Sequence, residues 1–154
     1  MAIALTIAAL LIVMTVPSYS AWMQSAQIRT AAESVRNGLQ LARASAMAQN
    51  TRVAFTLNGN DWSVDTVATG INIQARADRN GTPNAVIASN LNPIVFNGLG
   101  RVTPPAAATF SVTNVLGACQ SAGGAYRCLN VSVLAGGQIR LCDPNLAAGD
   151  AQSC

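Results

Sequence analysis

The sequence contains no lysine and no histidine, and it has few charged residues of either sign. All nine basic residues are arginines, set against six acidic residues, which gives a formal net charge of +3 at pH 7. Without histidine the chain lacks the commonest general base and metal ligand. Without lysine it lacks the residue of Schiff-base chemistry and of P-loop phosphate binding. These absences disfavour most enzyme classes, and the mild positive charge permits contact with an acidic polymer without requiring it.

Charged residues make up only 10% of the chain, whereas soluble proteins usually contain about 25%. Part of this shortage of charged residues lies in the apolar N-terminal segment. The rest lies in the remainder of the chain, which is rich in Ala, Gly, Asn, Ser and Thr. A chain of 154 residues is long enough for one domain plus an appendage. We divide it into a hydrophobic half-helix (1–23), an amphipathic half-helix (24–50) and a β-rich head (51–154).

The apolar run from Met1 to Val16 permits three interpretations. A secretory signal peptide is disfavoured because no basic residue precedes the run and the helical pattern continues past residue 21. A simple transmembrane anchor is short, because such a helix spans about 24 Å of a ~30 Å hydrocarbon core. The third interpretation is the membrane-embedded half of one long helix. In that helix Pro17 removes a backbone hydrogen bond and kinks the helix without ending it.

An amphipathic helix is predicted beyond this run, because small and apolar residues recur four and three positions apart. The stripe consists of Ile28, Ala32, Val35, Leu39, Ala42 and Ala46. We expect this packing stripe to lie against the strands of the head. Arg29, Arg36 and Arg43 recur at seven-residue intervals beside it, as a solvated flank or as contacts to neighbouring subunits. Gly38 is predicted to weaken the helix by about 1 kcal/mol relative to alanine.

Alternating patterns predict strands throughout the head. Segments 52–57 and 61–67 flank Asn58-Gly59-Asn60, which indicates a β-hairpin with Trp62 and Val64 on one face. Further strands are predicted at 71–74, 85–88, 94–97, 108–112, 129–133 and 138–142. A long helix followed only by antiparallel strands gives an α+β fold, with a sheet packed on the helix.

All four cysteines lie near the C-terminus, at Cys119, Cys128, Cys142 and Cys154. An even number in a head that looks exported indicates two disulfides, which would contribute about 2–3 kcal/mol each. Zinc is the alternative, although no C-x-x-C pair is present. The segment between Cys119 and Cys128 can turn back on itself, so we predict the pairs Cys119–Cys128 and Cys142–Cys154. The other two connectivities stay open.

Two stretches of the helix resemble the type IV pilins. The segment from Ala8 to Tyr19 (AALLIVMTVPSY) looks like the pilin N-terminus beyond its prepilin-peptidase site. If Pro17 is the helix-bending proline of that family, Met1 falls just after the family's glutamate and the start is truncated. The segment from Leu39 to Asn50 (LQLARASAMAQN) resembles the helix end of FimT/FimU and GspH-type minor pilins.

A third resemblance lies near the C-terminus. The segment 136–144 (GGQIRLCDP) is similar to the C-terminal signature of FimT/FimU minor pilins. It matches that signature at Arg140, Cys142, Asp143 and Pro144, and Gln138 stands where a first arginine is usual. The type IV pilin fold is therefore implied: a long N-terminal helix, kinked near Pro17, on an antiparallel β-sheet head with C-terminal disulfides.

The resemblance implies a structural minor pilin that packs into a type IV pilus and helps to prime assembly or form the tip. Its implied partners are other major and minor pilins, bound through the N-terminal helix, and the inner-membrane assembly platform. It would lie in the bacterial inner membrane, with one span and a periplasmic head, and then in the extracellular pilus. The resemblance also implies the family's association with cell adhesion or motility and with methylation. No catalytic residue, cofactor or metal is expected.

Other functions stay open. A GspH-like pseudopilin of type II secretion would share the helix and the fold. A DNA-binding minor pilin for natural transformation would use the arginine-bearing loop of the signature. That role falls to Arg140, with Arg127 and Arg101 as candidate helpers, and it is weakened by Gln138. Arg140 could instead be a strand-end residue that hydrogen-bonds the tail. An enzyme would depend on scattered acidic residues, and no catalytic motif is present.

Overall fold

A computed structural model describes the backbone of residues 2–77 and 81–154, and the side chains of residues 19–77 and 81–154. Its elements are one long helix and a series of short strands. Helix α1 comprises Ala2–Ala48, and a short 3-10 helix, η1, comprises Gln120–Ala122. The strands are β1 (Val53–Asn58), β2 (Asp61–Thr66), β3 (Asn72–Arg76), β4 (Ala85–Ser89), β5 (Ile94–Phe96), β6 (Ala108–Asn114), β7 (Leu129–Val133) and β8 (Ile139–Cys142).

The predicted strands are confirmed, with bounds that differ by at most two residues. The predicted hairpin is the β1–β2 connection, closed by the pair Asn58 and Asp61. Gly59 in its turn has a φ of 64°, a left-handed conformation that glycine adopts without steric cost. Trp62 and Val64 are both buried on one face of β2, as the alternation predicted.

The strands form two antiparallel sheets, where the sequence led us to expect one. The first sheet has the order β3-β2-β1-β5 and the second has the order β4-β6-β7-β8. The period-2 pattern of a strand determines which face is buried, but it carries no information about which strand lies alongside. Both sheets pack on α1, so the expected α+β arrangement is correct while its division into two sheets came only from the structure.

The packing stripe forms the centre of the core. All six of its residues have exposures of 0%, and Ala31 beside them is equally buried. The two sheets meet above the helix through Phe55 of β1 and Phe110 of β6, whose rings pack edge to face with centroids 5.6 Å apart. Trp62 packs on Phe55 at the same centroid separation, and its indole Nε1 donates a hydrogen bond to Ser34 Oγ at 3.1 Å. Both sheets therefore pack on the same face of the helix.

Gly38 lies where these aromatic rings approach the helix most closely. A Cβ atom at this position would lie 2.8 Å from Phe55 Cε2 and 3.1 Å from the nearest atoms of Trp62. Contacts this short do not fit a close-packed interior. The sequence suggested only a weak point in the helix, whereas the structure shows that a side chain at Gly38 would collide with the core.

The first part of α1 is described by its backbone alone. The helix continues without interruption through position 17, and the kink predicted at Pro17 stays a prediction. The apolar run of residues 1–16, to which we assigned the membrane segment, lies outside the described side chains. Within residues 19–77 and 81–154, no helix is long and apolar enough to cross a membrane.

Candidate functional site

Two disulfides tie down the C-terminal part of the head. Cys119 bonds to Cys128 with their Cα atoms 5.4 Å apart, and Cys142 bonds to Cys154 with a Cα separation of 5.0 Å. Both pairs match those predicted from the sequence. All four cysteines are consumed in this way, which leaves none as a zinc ligand. Among the described residues, no group of three or more potential ligand side chains could hold a metal ion.

Asp143, which follows β8, anchors the tail from a buried position. Its side chain accepts hydrogen bonds from Arg127 Nε at 2.6 Å and from the Asn145 backbone N–H at 2.8 Å. Its own backbone N–H donates to the Gln152 carbonyl at 2.8 Å. The carboxylate is only 4% exposed, so these donors replace the water that its oxygens lose on burial. Sequence reasoning missed this role, because nothing local connects Asp143 with Arg127, 16 residues earlier.

The three arginines considered as DNA contacts occupy three separate places along the β7–β8 hairpin. Arg127 lies before β7, beside Asp143 at the open end of the hairpin. Arg101 is exposed near the opposite end, since its neighbour Val102 donates to the Ala135 carbonyl in the β7–β8 turn. A five-residue strand such as β7 spans about 16 Å. The structure therefore does not gather these arginines into one cluster.

Arg140 lies on the outer face of the second sheet, away from the helix. It is paired across the strands with Ser132, while its neighbours Ile139 and Leu141 pack against the core. Its side chain is exposed and forms no ion pair with any residue that the structure describes. The expected alternative, a hydrogen bond from Arg140 to the disulfide-tied tail, is also absent from the described contacts.

The helical arginine row divides into three environments. Arg29 donates to Glu33 at 2.8 Å in an exposed pair one helical turn apart. Arg43 is half-buried and donates through Nε to the Gly100 carbonyl at 3.1 Å. Arg36 is exposed and has no ionic partner within the described part of the chain. The row is therefore neither uniformly solvated nor uniformly in contact with other groups. The head covers only Arg43, its C-terminal member.

Solved structures share this fold. The minor pilin FimU of Pseudomonas aeruginosa aligns with a TM-score of 0.62 and 20% identity, over 78% of this chain and 91% of that one. The minor pseudopilin EpsH of the Vibrio cholerae type 2 secretion system aligns with a TM-score of 0.55 and 14% identity, over 78% of this chain and 99% of that one. No curated protein matches the sequence. The fold is that of the minor pilins and pseudopilins.

The family described as type II transport protein GspH matches residues 31–137. That match covers more than half of the chain, from near the start of the packing stripe to the β7–β8 turn. The chain belongs to the GspH family. The resemblance inferred from the sequence is confirmed at this level. The match stops short of β8, so Arg140 and Asp143 lie beyond it.

Proposed function

We propose that this protein is a structural minor pilin, which packs its helix into a type IV pilus and helps to prime assembly or form the tip. The observation that carries the proposal is the length of α1 relative to the head. The head holds the helix at Gln24, whose Oε1 accepts hydrogen bonds from the side chains of Asn84 and Asn114 at 3.1 and 2.9 Å. The helix begins at Ala2, so about 33 Å of helix precedes this contact.

The sequence of this leading segment supports the proposal. It contains no charged residue before Arg29, and the aromatic side chains of Tyr19 and Trp22 are 62% and 66% exposed. A segment this apolar requires a lipid or protein environment. We assign it to the inner membrane before assembly, with one span and the head in the periplasm, and to the core of the extracellular pilus afterwards. The disulfides suit these oxidising compartments.

The partners in this proposal are the other major and minor pilins, bound through α1, and the inner-membrane assembly platform. We assign the protein no catalytic role and no cofactor. A position in a type II secretion pseudopilus is the competing assignment, because the fold serves both assemblies equally. The cysteine-bearing signature around Cys142 favours the pilus, since it is the part of the sequence that resembles FimT/FimU.

Deletion of the gene tests this proposal, and we expect it to reduce the number of pili on the native host. The wild-type chain should restore piliation and appear in sheared pilus fractions. A Leu11→Asp variant should do neither, because a charge within the apolar segment costs roughly 3 kcal/mol on insertion into a bilayer. The measurements are pilus counts by electron microscopy and immunoblots of sheared pili.

Leu99→Asp is the matched control. Leu99 lies in a loop of the head and is 75% exposed, so a charge there should leave piliation intact. Normal piliation after deletion, combined with loss of protein secretion, would reassign the protein to a type II secretion pseudopilus. Normal piliation with normal secretion would remove both assignments.

DNA binding is a second candidate function, and the exposure of Arg140 is the observation that favours it. Arg140 stands on a face whose neighbouring side chains, Asn130 and Ser132, are uncharged and able to hydrogen-bond. No described carboxylate pairs with the Arg140 guanidinium, whereas Arg127 forms an ion pair with Asp143. We therefore propose that any contact with the phosphate backbone is centred on Arg140, with Arg101 as a helper and Arg127 in a structural role.

A gel shift of duplex DNA with the full-length chain in detergent measures this function. We expect binding to weaken steeply with salt, because phosphate contacts release counterions. Arg140→Gln should lower the slope of log affinity against log salt by about one, the value for one lost phosphate contact. Arg52→Gln, at an exposed arginine ahead of β1, is the control. If Arg140→Gln and Arg52→Gln lose the same affinity for DNA, the binding is non-specific charge attraction and has no site centred on Arg140.

A further inference from the structure

A cleft of about 830 Å³ runs between one flank of α1 and the strand β8 with its tail. Leu129, Leu141 and Trp22 contribute apolar surface to it, and Arg29, Arg36 and Arg127 contribute guanidinium groups. The volume is in the range of sites that enclose a ligand. The cleft is an open groove, however, so it suits an extended chain better than a small molecule.

The cleft carries an excess of positive charge. Asp143 is the single carboxylate among its described lining residues, and its charge is already paired with Arg127. Arg29 pairs with Glu33, but the two side chains are 72% and 47% exposed, and such surface pairs are weak. Arg36 has no ionic partner among the residues that the structure describes. An anionic occupant would therefore find two arginines available along the helical wall.

A second copy of this chain is a poor source of such an occupant among the residues that the structure describes. The protein has only six acidic residues, and no two of them are adjacent in the sequence. Glu33 and Asp143 already bind arginines, and Asp65 accepts hydrogen bonds from Ser63 and Asn72. Among the strands that the structure describes, only β2 carries carboxylates, and it is already paired on both edges with β1 and β3, so charge complementarity points to a different protein.

Strand β8 gives the cleft an unpaired strand edge. It is the last strand of its sheet. The Leu134 N–H donates to the Gln138 carbonyl, and hydrogen-bonded pairs in an antiparallel ladder alternate with non-hydrogen-bonded pairs. Arg140 therefore exchanges its backbone hydrogen bonds with β7. The backbone groups of Ile139 and Leu141 consequently point away from β7, towards the open edge.

The tail already pairs with this edge at its far end. The Asp143 N–H, which points in the same direction as that of Leu141, donates to the Gln152 carbonyl, and Asp143 forms a parallel bridge with Ser153. No described strand continues this pairing along Ile139 and Leu141. Exposed edges of this kind are templates for another strand.

We propose that an extended acidic segment of a different protein binds in this cleft, adds a strand to the free edge of β8, and places its carboxylates on Arg29 and Arg36. The identification of that protein as a neighbouring filament subunit rests on the function proposed above. The binding reaction itself does not, because it can be measured outside any filament.

The test uses full-length protein in a zwitterionic detergent and a fluorescein-labelled peptide of alternating glutamate and valine, with binding followed by anisotropy. We expect saturable, salt-sensitive binding that a glutamine–valine peptide does not reproduce. Arg36→Gln should weaken binding roughly tenfold, the effect of about 1.4 kcal/mol from one charge-assisted contact. Arg52→Gln, outside the cleft, should leave it unchanged.

Backbone methylation tests the strand pairing separately. Peptides N-methylated either on the glutamates or on the valines each lose the donors along one strand edge, so one of the two should lose binding and the other should retain it. Retention by both would overturn the strand addition, and binding insensitive to Arg36→Gln would overturn the site. Equal competition by duplex DNA or phosphatidylglycerol vesicles, with the same dependence on Arg36, would assign the cleft to polyanions and overturn a protein partner. None of these outcomes depends on pilus assembly.

Discussion

Val35→Asp is expected to unfold the head. Val35 is fully buried in the packing stripe, within the apolar cluster that both sheets share. An unpaired carboxylate at such a position costs several kcal/mol, which we place above about 4 kcal/mol. Small domains are stable by only about 5–15 kcal/mol in total. Urea unfolding of the full-length chain in detergent, followed by the fluorescence of the buried Trp62, measures the loss.

Gln40→Glu is the matched control for Val35→Asp. Gln40 is exposed on the same helix, and Arg36 and Arg43 lie four residues before it and three after it. The new carboxylate is therefore solvated and favourably placed, and we expect the free energy of unfolding to change by less than about 0.5 kcal/mol. A Val35→Asp protein as stable as the control would contradict the burial of the stripe.

Gly38→Ala is expected to destabilise the protein by about 1–3 kcal/mol, the usual cost of overpacking a core. Helix propensity alone predicts the opposite sign, a gain of about 1 kcal/mol. Packing should prevail because the new Cβ would lie 2.8 Å from Phe55 Cε2 and 3.1 Å from Trp62. Both rings are held in the core, and Trp62 is additionally fixed by its hydrogen bond to Ser34. Urea unfolding gives the sign directly.

A double-mutant cycle identifies the cause of that loss. Phe55→Leu removes the ring edge that meets the new Cβ, so Gly38→Ala should cost less in the Phe55→Leu background than in the wild type. Contacting residues usually show coupling of about 0.5–3 kcal/mol. Additive losses would place the strain elsewhere, and a stabilised Gly38→Ala protein would show that the rings move aside freely.

Much of the secondary structure could be predicted because it depends on periodicities that the chain carries locally. The packing stripe follows from the spacing of residues such as Ile28 and Leu39, and it is buried as expected. The β1–β2 hairpin follows from Asn58-Gly59-Asn60, and the buried face of β2 follows from Trp62 and Val64. Each of these features involves residues that are neighbours along the chain.

The candidate site was less predictable, because its contacts join residues that are distant along the chain. The sequence placed Arg101, Arg127 and Arg140 in one functional group. The structure separates them, since Asp143 holds Arg127 at one end of the β7–β8 hairpin and the β7–β8 turn holds the segment around Arg101 at the other. The regular spacing of Arg29, Arg36 and Arg43 likewise concealed three different environments.

By itself the sequence determined the long helix, its buried face, the strands and membership of a pilin-like family. The physical reason is that burial of an apolar face is encoded every three to four residues in a helix and every two in a strand. Only the tertiary structure decided that the strands form two sheets, that position 38 has no room for a side chain, and that Asp143 forms an ion pair with Arg127. It alone placed the free edge of β8 beside a positively charged cleft. These features arise where separate elements meet, and no local pattern specifies which elements will do so.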